Sequence, residues 1–298
     1  MTNHLQGILP AVVTPFDERG RFNTAAFEQL LKRLYDAGVD GLYLCGSTGE
    51  GLLQAPEQRR RVAEAALRNA PPDKQIIVHI GAATTADAVE LARHAARLGA
   101  QAVSSLPPPG NYSFAEVRDY YRAIAAASDA PLLVYFFPGA STAITTLEQL
   151  LELCALPNVI GLKFTDFDLF NLMRLKQSGA TVFNGYDEVL AAGLLMGADG
   201  GIGTTYALLP EHYVRLYQAA RAGRWEEARA LQTEVNELIS ILVQYPVFPV
   251  TKVLLRWAGV ECGECLPPRR ALTNEELSRL REQISQSRFY ELFPGARQ

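Results

Sequence analysis

Long apolar runs, basic clusters and paired metal-ligating side chains are all scarce in this chain. No stretch approaches the ~18 uninterrupted apolar residues of a membrane span, so no membrane partner is expected. Residues 1–7 lack a basic segment followed by an apolar run, the pattern of a secretory leader, and the expected location is cytoplasmic. Arg59, Arg60 and Arg61 form the densest basic cluster, in a chain of net charge −4. They fall inside an expected helix, where a solvated face explains them better than a nucleic-acid patch. Cysteine occurs only four times. Cys45 and Cys154 lie in apolar contexts and read as buried thiols. Cys262 and Cys265 have a C-x-x-C spacing, but no second Cys or His pair completes a zinc site and no thioredoxin-like pattern surrounds them. They read as incidental loop thiols, and no metal is expected. With 48% hydrophobic and 20% charged residues, what remains is an ordinary globular balance with material for a large core.

Two further absences narrow the fold. No Gly-x-Gly-x-x-Gly follows the first β-rich run, which removes the dinucleotide-binding reading. No Gly-, Pro- or Ser-rich linker divides the chain. What is present is alternation of short β-rich runs with helical patterns. Strands are expected at 8–14, 41–45, 75–80, 102–105, 131–136, 159–164, 181–184 and 199–203. Helices are expected at 23–37, 56–69, 84–98, 113–127, 145–154, 167–177 and 187–195. Repeated β-then-α implies a parallel sheet, and eight units in about 220 residues fit a closed (β/α)8 barrel. Helical patterns at 208–222, 225–244, 249–258 and 274–287 follow. The expected division is a barrel over 1–223 and a C-terminal helical extension over 224–298, packed on the barrel.

In such a barrel, catalytic groups sit at the C-terminal ends of strands. The reactive residues there are Thr14, Phe16, Ser47, Thr48, His79, Tyr135, Lys163, Asp187, Glu188 and Thr204. Lys163 lies within the apolar run Val159–Phe164. An amine held in such a run favours its neutral form, which can attack a carbonyl; a lysine reaching from a strand end to solvent is an equal reading of this position alone. Gly46-Ser-Thr-Gly-Glu50 places two hydroxyls between two glycines, so backbone N–H groups can converge on a carboxylate, although many such loops are only turns. Tyr135 could relay protons; on position alone, a core ring with its hydroxyl bonded to backbone is the better reading.

Together these residues resemble the pyruvate-dependent lyase family that includes N-acetylneuraminate lyase and dihydrodipicolinate synthase. The likeness runs from Thr14-Pro-Phe16 to the terminal helices. Gly46–Glu50 looks like the family's carboxylate-binding loop, Tyr135 with Pro138 like its tyrosine segment, and Gly161-Leu-Lys163 with Thr165 like its Schiff-base strand. Segments 184–188 and 197–206 look most like the N-acetylneuraminate lyase branch. The resemblance implies Lys163 as nucleophile, Tyr135 and Ser47 as catalytic partners, and Thr48, Thr165, Gly185, Asp187, Glu188 and Thr204 as substrate contacts. It also implies a small-molecule substrate, no cofactor and a homotetramer. Helix capping is a second role open to Asp187 and Glu188.

Three departures qualify the likeness. Pro138–Thr142 lacks the arginine that holds the second substrate in dihydrodipicolinate-type synthases, which argues against that reaction. Leu106–Asn111 replaces the family's tyrosine pair, with Tyr112 the nearest aromatic; this leaves Tyr112, a water or a shorter relay as substitutes. Phe136 and Phe164 replace polar residues and are expected to make the pocket more apolar. The alternatives are a lyase or dehydratase for another 2-oxo-3-deoxy sugar acid, or a weakly catalytic 2-oxo acid binding protein.

Overall fold

Parallel strands that each feed a helix leave both ends of the sheet free to meet, and here they do. A computed structural model describes residues 4–297. The strands are β1 (Gly7–Pro10), β2 (Gly41–Leu44), β3 (Gln75–His79), β4 (Ala102–Ser105), β5 (Leu132–Phe136), β6 (Val159–Phe164), β7 (Thr181–Asn184) and β8 (Gly200–Gly203). They run parallel in the order β1-β8-β7-β6-β5-β4-β3-β2. A parallel bridge between Ala11 and Tyr43, with Val12 N donating to Tyr43 O at 3.0 Å, closes β1 onto β2. The result is a (β/α)8 barrel.

The helices alternating with these strands are α1 (Thr24–Asp36), α2 (Pro56–Asn69), α3 (Thr85–Arg97), α4 (Phe114–Ala127), α5 (Leu147–Cys154), α6 (Leu169–Gln177), α7 (Leu190–Leu195) and α8 (Pro210–Arg221). Local chemistry sets their ends. Asn23, Thr84 and Asp168 cap N-termini through their side chains, and Ser113 and Thr146 form capping boxes with Glu116 and Gln149. Beyond the barrel lie α9 (Trp225–Leu242), α10 (Val247–Trp257) and α11 (Asn274–Ser285). The axes of α9 and α10 differ by 112° across a short break, and no single helix among the described residues is long and apolar enough to cross a membrane.

Most ends agree to within two residues, and two expected elements differ by more. The first strand ends at Pro10 rather than residue 14, because the backbone bonds then diverge: Ala11 N donates to Gly203 O, and Val12 N to Tyr43 O. The helix expected over 187–195 begins as a 3₁₀ turn, Asp187–Val189. There the carbonyls of Asp187 and Glu188 accept from Gln232 and Asn236 of α9, each at 3.0 Å.

Alternation along the strands sorts the core into two shells. Leu9, Tyr43, Ile77, Tyr135, Phe183 and Ile202 fill the barrel interior. A larger shell lies between sheet and helices and includes Leu231, Leu238, Phe289 and Phe293 of the extension. Phe136 and Phe164 belong to this outer shell, with ring centroids 5.4 Å apart. They do not line the pocket, contrary to the expectation from sequence. Their neighbours Tyr135 and Lys163 point inward, so period-two geometry sends both phenylalanines outward.

Candidate active site

All nine residues expected at the site line one cavity of about 530 Å³ at the C-terminal end of the strands. Tyr135 and Lys163 are cross-strand partners in the β5–β6 ladder. Lys163 is 5% exposed, with Nζ 4.0 Å from the Tyr135 ring centroid and 5.0 Å from that of Tyr43. Lys163 therefore does not reach out to bulk water; its amine is enclosed by two aromatic rings beneath the cavity. Tyr135 meets Tyr43 and His79 edge-on, both at 6.2 Å, and stacks on Phe137 at 6.3 Å.

The partners of this aromatic group are fixed. Tyr43 donates to Ser104 Oγ at 3.1 Å, and burial holds its phenol well above the ordinary value of 10.0. Burial, with Arg59 and Lys163 nearby, holds His79 well below 6.5. The neutral ring accepts from Leu106 N through Nε2 at 3.1 Å, which leaves the proton on Nδ1. Leu106, the first residue of the tyrosine-free segment, is thereby docked on β3. Tyr112 is 37% exposed and does not line the cavity.

The loop after β2 brings Ser47 and Thr48 to the cavity. Gly49 O accepts from Thr14 Oγ1 at 2.8 Å and from Gln54 Nε2 at 2.6 Å. Thr48 Oγ1 lies 2.7 Å from Thr204 Oγ1, so a hydrogen bond joins the loops after β2 and β8. Thr14 is thus a structural partner of the loop rather than a cavity group.

The turn after β7 brings Asp187 and Glu188 to the same cavity. Asp187 Oδ2 accepts from Thr205 N at 2.7 Å and Thr205 Oγ1 at 2.6 Å. Burial outweighs these bonds and raises its carboxyl from 3.8 to about 6. Gly203 allows the approach of the other oxygen: a Cβ there would fall 1.9 Å from Asp187 Oδ1. Gly185 similarly makes room for Thr165, whose buried Oγ1 has no hydrogen-bond partner within the protein. An unpaired hydroxyl beside a cavity is a natural contact for a polar ligand.

Sequence reasoning missed the remaining walls. Phe137 and Tyr186 form an aromatic lip, with Tyr186 stacked on Phe167 at 4.3 Å. Burial, followed by the charge of Glu188, raises the Tyr186 phenol. Period-two alternation from Tyr135 could have found Phe137. Ile239, Leu242, Val243, Val247 and Phe248, from α9 and α10, close the cavity with an apolar surface, and Arg269 adds a cation. Carboxylates, hydroxyls, an apolar surface and an amine thus share one cavity, an arrangement suited to a 2-oxo acid with a hydroxylated tail.

Comparison with known proteins agrees with this geometry. The model of the Dihydrodipicolinate synthetase family matches residues 4–287. N-acetylneuraminate lyase of Rhizobium meliloti (strain 1021) is 40% identical over 284 residues, covering 94% of this chain and 95% of that protein. The Escherichia coli (strain SE11) N-acetylneuraminate lyase is 36% identical over 298 residues, covering 97% and 100%. Among solved structures, CdNal from Clostridium difficile in complex with mannosamine superposes with a TM-score of 0.90 at 30% identity, covering 95% of this chain and 99% of that one. Wild-type sialic acid aldolase of Ruminococcus gnavus gives 0.89 at 30%, covering 98% of each. With near-complete coverage, a shared barrel and an enclosed strand-6 lysine, the chain belongs to the dihydrodipicolinate synthetase family, among its pyruvate-dependent class I carbon–carbon lyases.

Proposed function

We propose that this enzyme cleaves N-acetylneuraminate, through a Schiff base on Lys163, to pyruvate and N-acetylmannosamine. The observation that carries the reading is the cavity itself, which the buried Lys163 amine, the Ser47–Thr48 loop and the Asp187–Glu188 pair line together. The hydroxyls of the loop suit a carboxylate, and the carboxylate pair suits vicinal hydroxyls. The naming of the relatives as N-acetylneuraminate lyases supports the same substrate.

The proposed reaction begins with the open-chain acid, its carboxylate on the hydroxyls and N–H groups of Ser47 and Thr48. The Lys163 amine adds to the C2 ketone, and the departing hydroxyl takes up a proton and leaves as water as the protonated imine forms. Loss of the C4 hydroxyl proton to the Tyr135 relay drives cleavage of C3–C4, with the bonding pair drawn into the protonated imine. N-acetylmannosamine leaves. The enamine takes a proton at C3, and water releases pyruvate and regenerates the amine. Covalent catalysis replaces one difficult carbanion with a stabilised enamine. Asp187, Glu188, Thr165 and Thr204 orient the tail.

The test is borohydride trapping with pyruvate, followed by peptide mapping and lyase assays. The expected result is one reduced adduct on Lys163 and turnover of N-acetylneuraminate. Lys163→Ala is expected to lose the adduct and at least ~10³-fold in kcat, the scale seen when a covalent nucleophile is removed. Substantial turnover by Lys163→Ala would sink the mechanism. An adduct without cleavage of N-acetylneuraminate would move the substrate to another 2-oxo-3-deoxy sugar acid.

A further inference from the structure

Glu50 ends the loop that carries Ser47 and Thr48, yet it does not line the cavity beside Lys163. Its side chain is fully buried, and its backbone is left-handed at φ +55°. Lys252 Nζ of α10 lies 2.9 Å from Oε1, and Leu266 N donates to Oε2 at 2.8 Å. Arg269 Nε, at the cavity wall, is 3.9 Å from the same oxygen. Lys252 is itself buried, donates to Glu264 O at 3.0 Å and lies 4.2 Å from the Phe16 ring centroid.

Stability is a weak reason for such a pair. Two ions removed from water recover about what their desolvation costs, and apolar residues of similar volume often do as well or better. Geometry supplies a stronger reason. Glu50 N donates to Ser47 O at 3.2 Å and Gly51 N to Gly46 O at 3.1 Å, so the loop closes on itself around Ser47 and Thr48. Thr14 and Gln54 grip it at Gly49 O from within the barrel. Glu50 joins the same loop to the extension, more than 200 residues away.

We propose that Glu50 is a positioning residue: with Lys252 it registers the Ser47–Thr48 turn against Lys163, giving the C-terminal extension a part in recognising the 2-oxo acid carboxylate. This rests on the Schiff-base reading above. Removing the pair weakens carboxylate binding without removing the nucleophile.

The experiment is pyruvate trapping by borohydride at graded pyruvate concentrations, on wild type, Glu50→Gln and the Glu50→Met/Lys252→Met double variant. The apolar pair leaves no unpaired buried charge, which favours folding. The expected result is a half-saturating pyruvate concentration at least tenfold higher in both variants, with Lys163 still fully modified at saturation. Lys252→Arg, which keeps the charge, is expected to recover most of the affinity. If the double variant does not fold, Glu50→Gln reads the same ratio. A half-saturating concentration within twofold of wild type in a folded variant overturns the proposal and leaves the Schiff base standing. No adduct in wild type removes the Schiff base and the positioning role with it.

Discussion

Asp187 carries two demands that pull against each other. As a carboxylate it accepts hydroxyl hydrogen bonds; as a buried group it is held at about 6, above its ordinary 3.8. Between those values the folded protein binds more protons at this site than the unfolded chain does. Stability from this group is therefore greatest below about pH 4 and declines as pH rises through 6. A shift of this size corresponds to roughly 3 kcal/mol. Asp187→Asn keeps an acceptor for Thr205 N and removes the buried charge. Urea unfolding is expected to show the variant about 1–3 kcal/mol more stable than wild type at pH 7.5, with the gap narrowing as pH falls through 6 and closing only below about pH 4. Its affinity for the sugar acid should fall even as it becomes more stable. A gap that does not change with pH would mean that Asp187 is not coupled to protons in this way. Sequence alone left capping and substrate binding both open for this residue. The Thr205 bonds and the Gly203 approach that define its setting join separate loops, and spacing carries no trace of them.

At the scale of elements, β–α alternation made the barrel legible, because strands and helices bury their apolar residues with different periods. Parity was also available: with Lys163 inward, Phe164 had to point outward. The part played by α9 was hidden, since an amphipathic stripe says that a face is covered but not by what. Gln232 shows what was hidden. It donates to Asp187 O, accepts from Ala191 N at 2.8 Å and donates to Asn236 Oδ1 at 2.9 Å. Gln232→Leu leaves the first two backbone groups unpaired in the interior, each costing about 1–3 kcal/mol. It also frees the turn that presents Asp187 and Glu188. We expect at least a tenfold drop in kcat/KM for N-acetylneuraminate with unchanged pyruvate trapping at Lys163, because pyruvate has no tail to place. A parallel loss of trapping would show that α9 supports the barrel as a whole rather than this turn.

At the scale of the molecule, the question is whether residues 1–223 can stand without 224–298. The strands and Lys163 all lie in the first part, but the structure distributes the work differently. Ala228, Leu231, Val235, Leu238, Phe289 and Phe293 belong to the same apolar shell as the barrel helices. Their removal uncovers large side chains, each worth about 1.5–3 kcal/mol when buried. The same deletion removes Lys252 and uncovers the Glu50 carboxylate that it pairs with. A domain's net stability is only about 5–15 kcal/mol, so a handful of these losses exceeds it. The extension is therefore a working part of the fold, and it also forms the apolar wall of the cavity. We expect the 1–223 fragment to show no cooperative thermal transition, rapid proteolysis and no pyruvate adduct, measured beside the full chain. A protease-resistant fragment that melts cooperatively would make the barrel an independent domain. If that fragment also trapped pyruvate with wild-type affinity, carboxylate recognition would lie wholly within the barrel, and the Glu50–Lys252 link would have no part in it.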